Sequence, residues 1–125
     1  MKLYWTMPQG IKQHHRRELE LYETEFDERH LPQAWRHLER AHILAQPWPR
    51  EHSYVHWRML RFGFFIKSPK EVLGQITRLV FGGVKSFVGK VPVGNTGGAN
   101  VPPLRPMEIP EDLRQILNSQ QQFLD

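Results

Sequence analysis

The stretch that decides the fold is "HLERAHILAQPWPREHSYVHW", residues 37–57. It divides at "PWP", residues 47–49. Two prolines two apart cannot continue a helix, so one helix ends here and another begins. On the near side, "QAWRHLERAHILAQ" places Ala34, Leu38, Ala41 and Ala45 on one helical face. On the far side, a helix from about Glu51 to Lys67 carries Val55, Met59, Phe62 and Ile66 at helical spacing. A link as short as "QPWPR" makes an antiparallel helix hairpin.

The flanks extend this pattern. "IKQHHRRELELYETEFDE", residues 11–28, predicts an earlier helix with a partial apolar stripe of Ile11, Leu19, Tyr22 and Phe26. "RHLPQ" breaks it, and Pro32 suits the first turn of the next helix, where its missing N–H is not needed. Downstream, "SPKE", Ser68 to Glu71, reads as a capping box with Ser at the N-cap, Pro at N1 and Glu at N3. The helix it opens runs to Leu79 or Phe81. From Gly82 to Pro110 the chain is rich in Gly and Pro, and "GKVPVGNTGGANVPPLRPMEIP" cannot be regular helix. It predicts a long ordered loop. "IPEDLRQIL" then gives a last short helix with acids in its first turn. The fold class expected is all-α: a single domain over 1–125, with four to five helices in a small bundle around the hairpin and a Gly/Pro-rich loop over 82–110. "AWRHLERAHIL" has a weak tetratricopeptide-like flavour, but no further copies follow at a fixed period.

Composition narrows the function classes. The 125 residues hold 39% hydrophobic and 24% charged residues, ordinary for a soluble globular protein. The net charge is +4, but basic and acidic residues are interleaved along the chain. Nucleic-acid binding needs a concentrated basic patch, so no nucleic-acid partner is expected. No run approaches the ~20 apolar residues of a membrane span, and the N-terminus lacks a signal-peptide core. A cytoplasmic protein without membrane contact is the expectation. Cysteine is absent, which excludes thiolate metal sites and disulfides. Any metal must take imidazole, carboxylate, thioether or water.

Four of the seven histidines lie in the opening stretch. Residues three or four apart share a helix face, so Glu39 with His42, and His52 with His56, each converge. His37 lies about 200° round from Glu39 and faces away. The hairpin brings His42, His52 and His56 together near its tip, with Glu39 one turn deeper. Three imidazoles and a carboxylate suit a divalent metal. Zn(II) is the simplest occupant, and two His with a carboxylate would suit Fe(II). Glu39 is the fourth ligand or the general base. The competing reading packs these histidines at the tip, bonded to backbone carbonyls or to Glu39 and Glu51. The acids of the first helix, Glu18, Glu20, Glu23 and Glu25, read as a solvated face. His14 and His15 read as surface residues.

Other chemistry finds little support. "FGGVKS" and "GNTGGA" do not meet the spacing or context of a phosphate loop or a dinucleotide fingerprint. There is no G-x-S-x-G elbow and no H-E-x-x-H. Gly94, Gly97 and Gly98 permit positive φ and close backbone approach, while Asn95, Thr96 and Asn100 can cap local turns.

"HLERAHILAQPWPREHSYVHWRML", "EVLGQITRL" and "VPVGNTGGANVPPLRPMEIPEDL" resemble a family of short bacterial proteins known as a domain of unknown function, number thirty-seven-oh-three. The likeness spans roughly Ala34 to Leu117 and is weak over the first thirty residues. It implies that the His-rich hairpin and the GNTGGA tail belong together, with the tail folded over the hairpin. Its motif residues here are Glu39, Arg40, His42, Gln46, His52, His56, Gln75, Gly94, Asn95, Gly97 and Gly98. It implies no activity.

The expected function is a small metal-binding protein with His42, His52, His56 and Glu39 at the hairpin tip. Arg40 and Gln75 are expected just behind the ligands. With an exchangeable position, metal-assisted hydrolysis or O₂-linked oxidation follows, and the sequence does not choose between them or decide whether the protein is an enzyme. The alternative is a non-enzymatic helical interaction module with structural histidines, its tail or its Trp5, Trp35, Trp48 and Trp57 surface meeting a partner. A small-molecule ligand, a protein partner or a second copy of the chain is compatible with either.

Overall fold

The computed structural model describes residues 6–80, 95–101 and 105–121. Among these residues there are five helices and no strand: α1 Gln9–Asp27, α2 Leu31–Ala45, α3 Pro49–Phe65, α4 Pro69–Val80 and α5 Glu111–Gln121. The Gly/Pro-rich loop expected over 82–110 is described at 95–101 and 105–110; the rest of it, and Trp5, lie outside the described residues.

Three-residue links join the first four helices, and α2 packs against α1, α3 and α5. The reason is the face of α2. Ala34, Leu38, Ala41 and Ala45 are all fully buried, as their spacing predicts, and the three alanines let neighbouring backbones approach. Ile11 and Tyr22 of α1, Val55, Met59 and Phe62 of α3, and Leu113 and Leu117 of α5 complete the core. Each fully buried aliphatic or aromatic side chain contributes about 1.5–3 kcal/mol. Ile66, expected in this stripe, is 42% exposed, because α3 ends one residue earlier and Ile66 is its C-cap.

Two helix ends share one device. After α1, Arg29 adopts φ 62, and after α3, Lys67 adopts φ 58. Arg29 N–H bonds Phe26 O and His30 N–H bonds Glu25 O; likewise Lys67 N–H bonds Phe64 O and Ser68 N–H bonds Gly63 O. Both are Schellman caps with a left-handed residue that is not glycine. They turn the chain sharply enough for α2 and α4 to start within three residues.

The α2–α3 link behaves as its prolines dictate. Pro47 and Trp48 are buried, Trp48 N–H bonds Ala45 O, and Pro49 occupies the first position of α3. Among the described residues no helix is long and apolar enough to cross a membrane.

Helix α4 is set differently. Its side chains buried to 7% exposure or less are Gln75 and Arg78, while Leu73, Ile76 and Val80 face outward. Ser68 Oγ accepts from Glu71 N–H at 3.3 Å, which is half of the expected capping box. The other half does not form, because the Glu71 carboxylate turns toward Gln75 and Ala99 instead.

Candidate metal centre

His42 lies in the last turn of α2, His52 in the first turn of α3, and His56 one turn further on. The hairpin brings their three Nε2 atoms into a near-equilateral triangle. His42 to His52 is 2.9 Å, His42 to His56 is 3.1 Å and His52 to His56 is 3.1 Å. The rings are steeply inclined to one another, at 58–73°. They therefore meet edge-first around a point instead of stacking. His42 and His56 are buried at 1% and 2% exposure, and His52 is partly buried. An ion at the ordinary Zn–N distance of about 2.0–2.1 Å fits on the axis of the triangle, about 1 Å above its plane.

The far nitrogens fix which face of each ring points inward. His42 Nδ1 is 2.7 Å from the backbone carbonyl of Asn95. His56 Nδ1 is 2.6 Å from Gln75 Oε1. Gln75 is oriented by its own amide hydrogens, which reach Gly97 O and Glu71 Oε2, each at 2.8 Å; its oxygen must therefore face His56. Carbonyl oxygens only accept, so both histidines carry their hydrogen on Nδ1 and turn an Nε2 lone pair toward the triangle. Two such lone pairs 3.1 Å apart repel unless a cation lies between them. One proton on His52 Nε2 can serve one edge of the triangle; a metal ion serves all three nitrogens. Orientation of ligand imidazoles by outer carbonyls is the usual arrangement behind a bound metal.

The segment at 95–101 closes over this cluster, as the family resemblance implied. Asn95 forms an Asx turn, with Gly97 N–H donating to Asn95 Oδ1 at 2.9 Å. Gly97 has φ +87, and a Cβ there would stand 2.5 Å from His42 Cδ2. Glycine is thus required twice, by the backbone and by the imidazole against it. Ala99 N–H donates to the Glu71 carboxylate at 2.9 Å, and a Cβ on Gly74 would stand 2.5 Å from the Ala99 Cβ. The chain from Glu71 through Gln75 to His56 ties α4 to α3, and the Asn95 carbonyl ties the tail to α2.

The other expected residues fall elsewhere. The group of ligand atoms within 4.8 Å of one another comprises His42, His52 and His56, without Glu39. Burial pushes the Glu39 carboxyl above its usual range, opposed chiefly by the charge of Arg36, whose guanidinium stands 3.8 Å away. His37 faces away, as its angle predicts, and bonds Glu18 at 2.7 Å. Arg40 does not back the histidines. It donates from Nε to Glu18 at 2.8 Å and pairs with Asp112, linking α1, α2 and α5. Glu18 is consequently buried, not part of a solvated face. His15 is also buried, at 5% exposure, where a surface residue was expected. Desolvation pushes its pKa below the ordinary value, partly offset by a bond to the Ala41 backbone and by Glu51 and Glu18. His14 is exposed, and His30 pairs with Glu25 at 2.9 Å.

The sequence reading missed Glu71 behind Gln75 and the Asn95 carbonyl. Glu71 and Gln75 are four apart on α4, a spacing that puts them on one face. The carbonyl carries no residue-type signal at all.

The tail meets the His hairpin through the Asn95 carbonyl, so the two signature blocks are in contact. A family model described as "Protein of unknown function (DUF3703)" matches residues 9–117. The chain belongs to this family. The match includes α1, so the kinship extends well before Ala34. No curated protein and no solved structure matches the chain.

Proposed function

We propose that this protein binds one divalent transition-metal ion through Nε2 of His42, His52 and His56. The observation that supports it is the triangle of three Nε2 atoms 2.9–3.1 Å apart, with outer carbonyls fixing the inward lone pairs of two of them. Zn(II) is the simplest occupant, since it accepts three imidazoles and one further ligand. Fe(II) and other first-row ions accept the same nitrogen donors, and selection among them follows geometry and supply. Three protein ligands leave a position for water or a reactant, which is the arrangement of hydrolytic metal centres. Glu39 enters this reading as the proposed general base, one turn before His42.

The test is elemental analysis of the untagged protein, for wild type and for His52→Ala/His56→Ala. The expected result is one metal ion per wild-type chain and none in the variant. Wild type that stays metal-free after exposure to Zn(II), Fe(II), Cu(II) and Ni(II) overturns the reading.

A second reading, an interaction module whose histidines are structural, is favoured by the exposed apolar side chains of α3 and α4. Trp57 is 50% exposed, Phe64 62%, Leu73 65% and Val80 68%. It predicts that Leu73→Glu removes partners captured by the wild-type chain. Unchanged capture counts against it.

A further inference from the structure

One arginine of this chain is buried without a carboxylate. Arg78, in the last turn of α4, is 7% exposed. Its Nη2 donates to Val101 O at 2.7 Å, and its Nε is buried with no hydrogen-bond partner. The two half-buried arginines are treated differently: Arg40 holds Glu18 at 2.8 Å and Arg58 holds Glu23 at 2.9 Å. Among the described residues Arg78 makes no ion pair. Two features offset part of its charge. The C-terminal end of the α4 dipole favours a cation, and the Glu71 carboxylate acts on it from a distance, while burial holds the guanidinium below its ordinary pKa. Glu71 is itself committed to the Gln75 amide and to Ala99 N–H.

The sequence around Arg78 repeats the imbalance. The interleaving of charge seen elsewhere in the chain stops here: between Glu71 and Glu108 lie Arg78, Lys85, Lys90 and Arg105 and no Asp or Glu. The guanidinium also has a defined place. A Cβ on Gly74 would stand 3.2 Å from Arg78 Nη1 and 2.5 Å from the Ala99 Cβ, so Arg78 ends at the seam where α4 meets residues 99–101. A buried cation without a close counter-charge is costly. A guanidinium presents a planar fork of N–H donors that matches the oxygens of a carboxylate or a phosphate.

We infer that Arg78 is the binding point for a small oxyanion, a carboxylate or a phosphate group, at the seam between α4 and residues 99–101. Nε–H is a donor left for it, and a charge-assisted hydrogen bond there supplies the counter-charge that the chain does not. The inference involves none of the three histidines and stands whether or not they hold a metal. The two places share a segment, since residues 95–101 also supply the Asn95 and Gly97 carbonyls that orient His42 and Gln75.

The experiment follows the NMR signal of Arg78 Nε–H, assigned through its bonds to the backbone, in the isotope-labelled full-length chain. Sodium phosphate and sodium acetate are the probes, each added at an ionic strength held constant with sodium chloride. The expected result is a saturable one-to-one shift of the Nε–H signal and of the Ala99 and Val101 amide signals. Tighter binding of phosphate than of acetate names a phosphate group as the natural ligand chemistry; the reverse order names a carboxylate. Signals that stay in place with both probes, or drift without saturating, overturn the inference. Arg78→Lys keeps the charge and removes Nε. Read at Ala99 and Val101, its affinity should fall about tenfold or more, the loss of one charge-assisted hydrogen bond. A folded Arg78→Lys chain that binds the probe as tightly as wild type overturns the inference too, because the anion is then held elsewhere. Should that variant not fold, the wild-type titration decides alone.

Discussion

Gly97 carries more of the site than its size suggests. It holds φ +87 directly against the His42 ring, and its carbonyl orients Gln75. Gly97→Ala adds backbone strain, and its Cβ meets the imidazole at a distance that real contacts do not reach. We expect a loss of about 2 kcal/mol or more of stability in urea unfolding, with Zn(II) affinity down about tenfold. Wild-type values for both would show that the loop does not press on His42. His15 gives a second residue-level prediction. Its pKa is depressed by burial, so the unfolded chain takes up a proton more readily. Stability from this group is present above pH 6.5, the ordinary value, and falls as pH drops below it, by at most about 1.4 kcal/mol per pH unit. Measured with chelator present, the wild-type urea midpoint should fall relative to His15→Gln between pH 7 and pH 5.5. Parallel curves would contradict the burial argument.

At the scale of elements, the non-glycine left-handed caps store strain that can be removed. Lys67 has φ 58 and an exposed side chain. Lys67→Gly should raise stability by about 0.5–1 kcal/mol, the left-handed penalty less the added freedom of the unfolded chain, seen as a rise of a few degrees in Tm. A fall would mean that Lys67 makes a contact worth more than the strain. Glu39 tests how much of the helix pairing is ligand geometry. Glu39→Gln should keep one metal ion per chain, because its carboxyl lies outside the group of His42, His52 and His56 and faces Arg36 at 3.8 Å; loss of the ion would make it a ligand. These elements were legible in different degrees. "PWP" and "SPKE" set boundaries through proline and serine chemistry that acts locally, and the structure starts α3 and α4 there. The alanine face of α2 was legible because 3.6-residue periodicity needs no partner to be seen. The end of α1 was legible to within a residue from the break at "RHLPQ", but the left-handed caps at Arg29 and Lys67 were not, since these residues do by tertiary constraint what glycine does by propensity.

Across the whole molecule, the site is made by three separated segments: the hairpin, α4 and the tail at 95–101. The sequence showed which histidines share a face, because that is arithmetic within a helix. It could not show that His15 would be buried against α2 or that Arg40 would be taken by Glu18 and Asp112, since both depend on how α1 and α5 pack. Nor could it show that a backbone carbonyl would orient His42. If the three segments are joined through an ion, metal binding is folding energy for all of them. At a free metal concentration 100 times Kd, binding contributes about 2.7 kcal/mol, or a rise of roughly 10 °C in Tm, and chelation should reverse it. The most direct test of the central claim is anomalous X-ray diffraction from crystals of the untagged, zinc-loaded chain, recorded at the zinc edge. One peak is predicted, about 2.0–2.1 Å from Nε2 of each of His42, His52 and His56. No peak there, or zinc held only at surface residues such as His14 or His30, would contradict it.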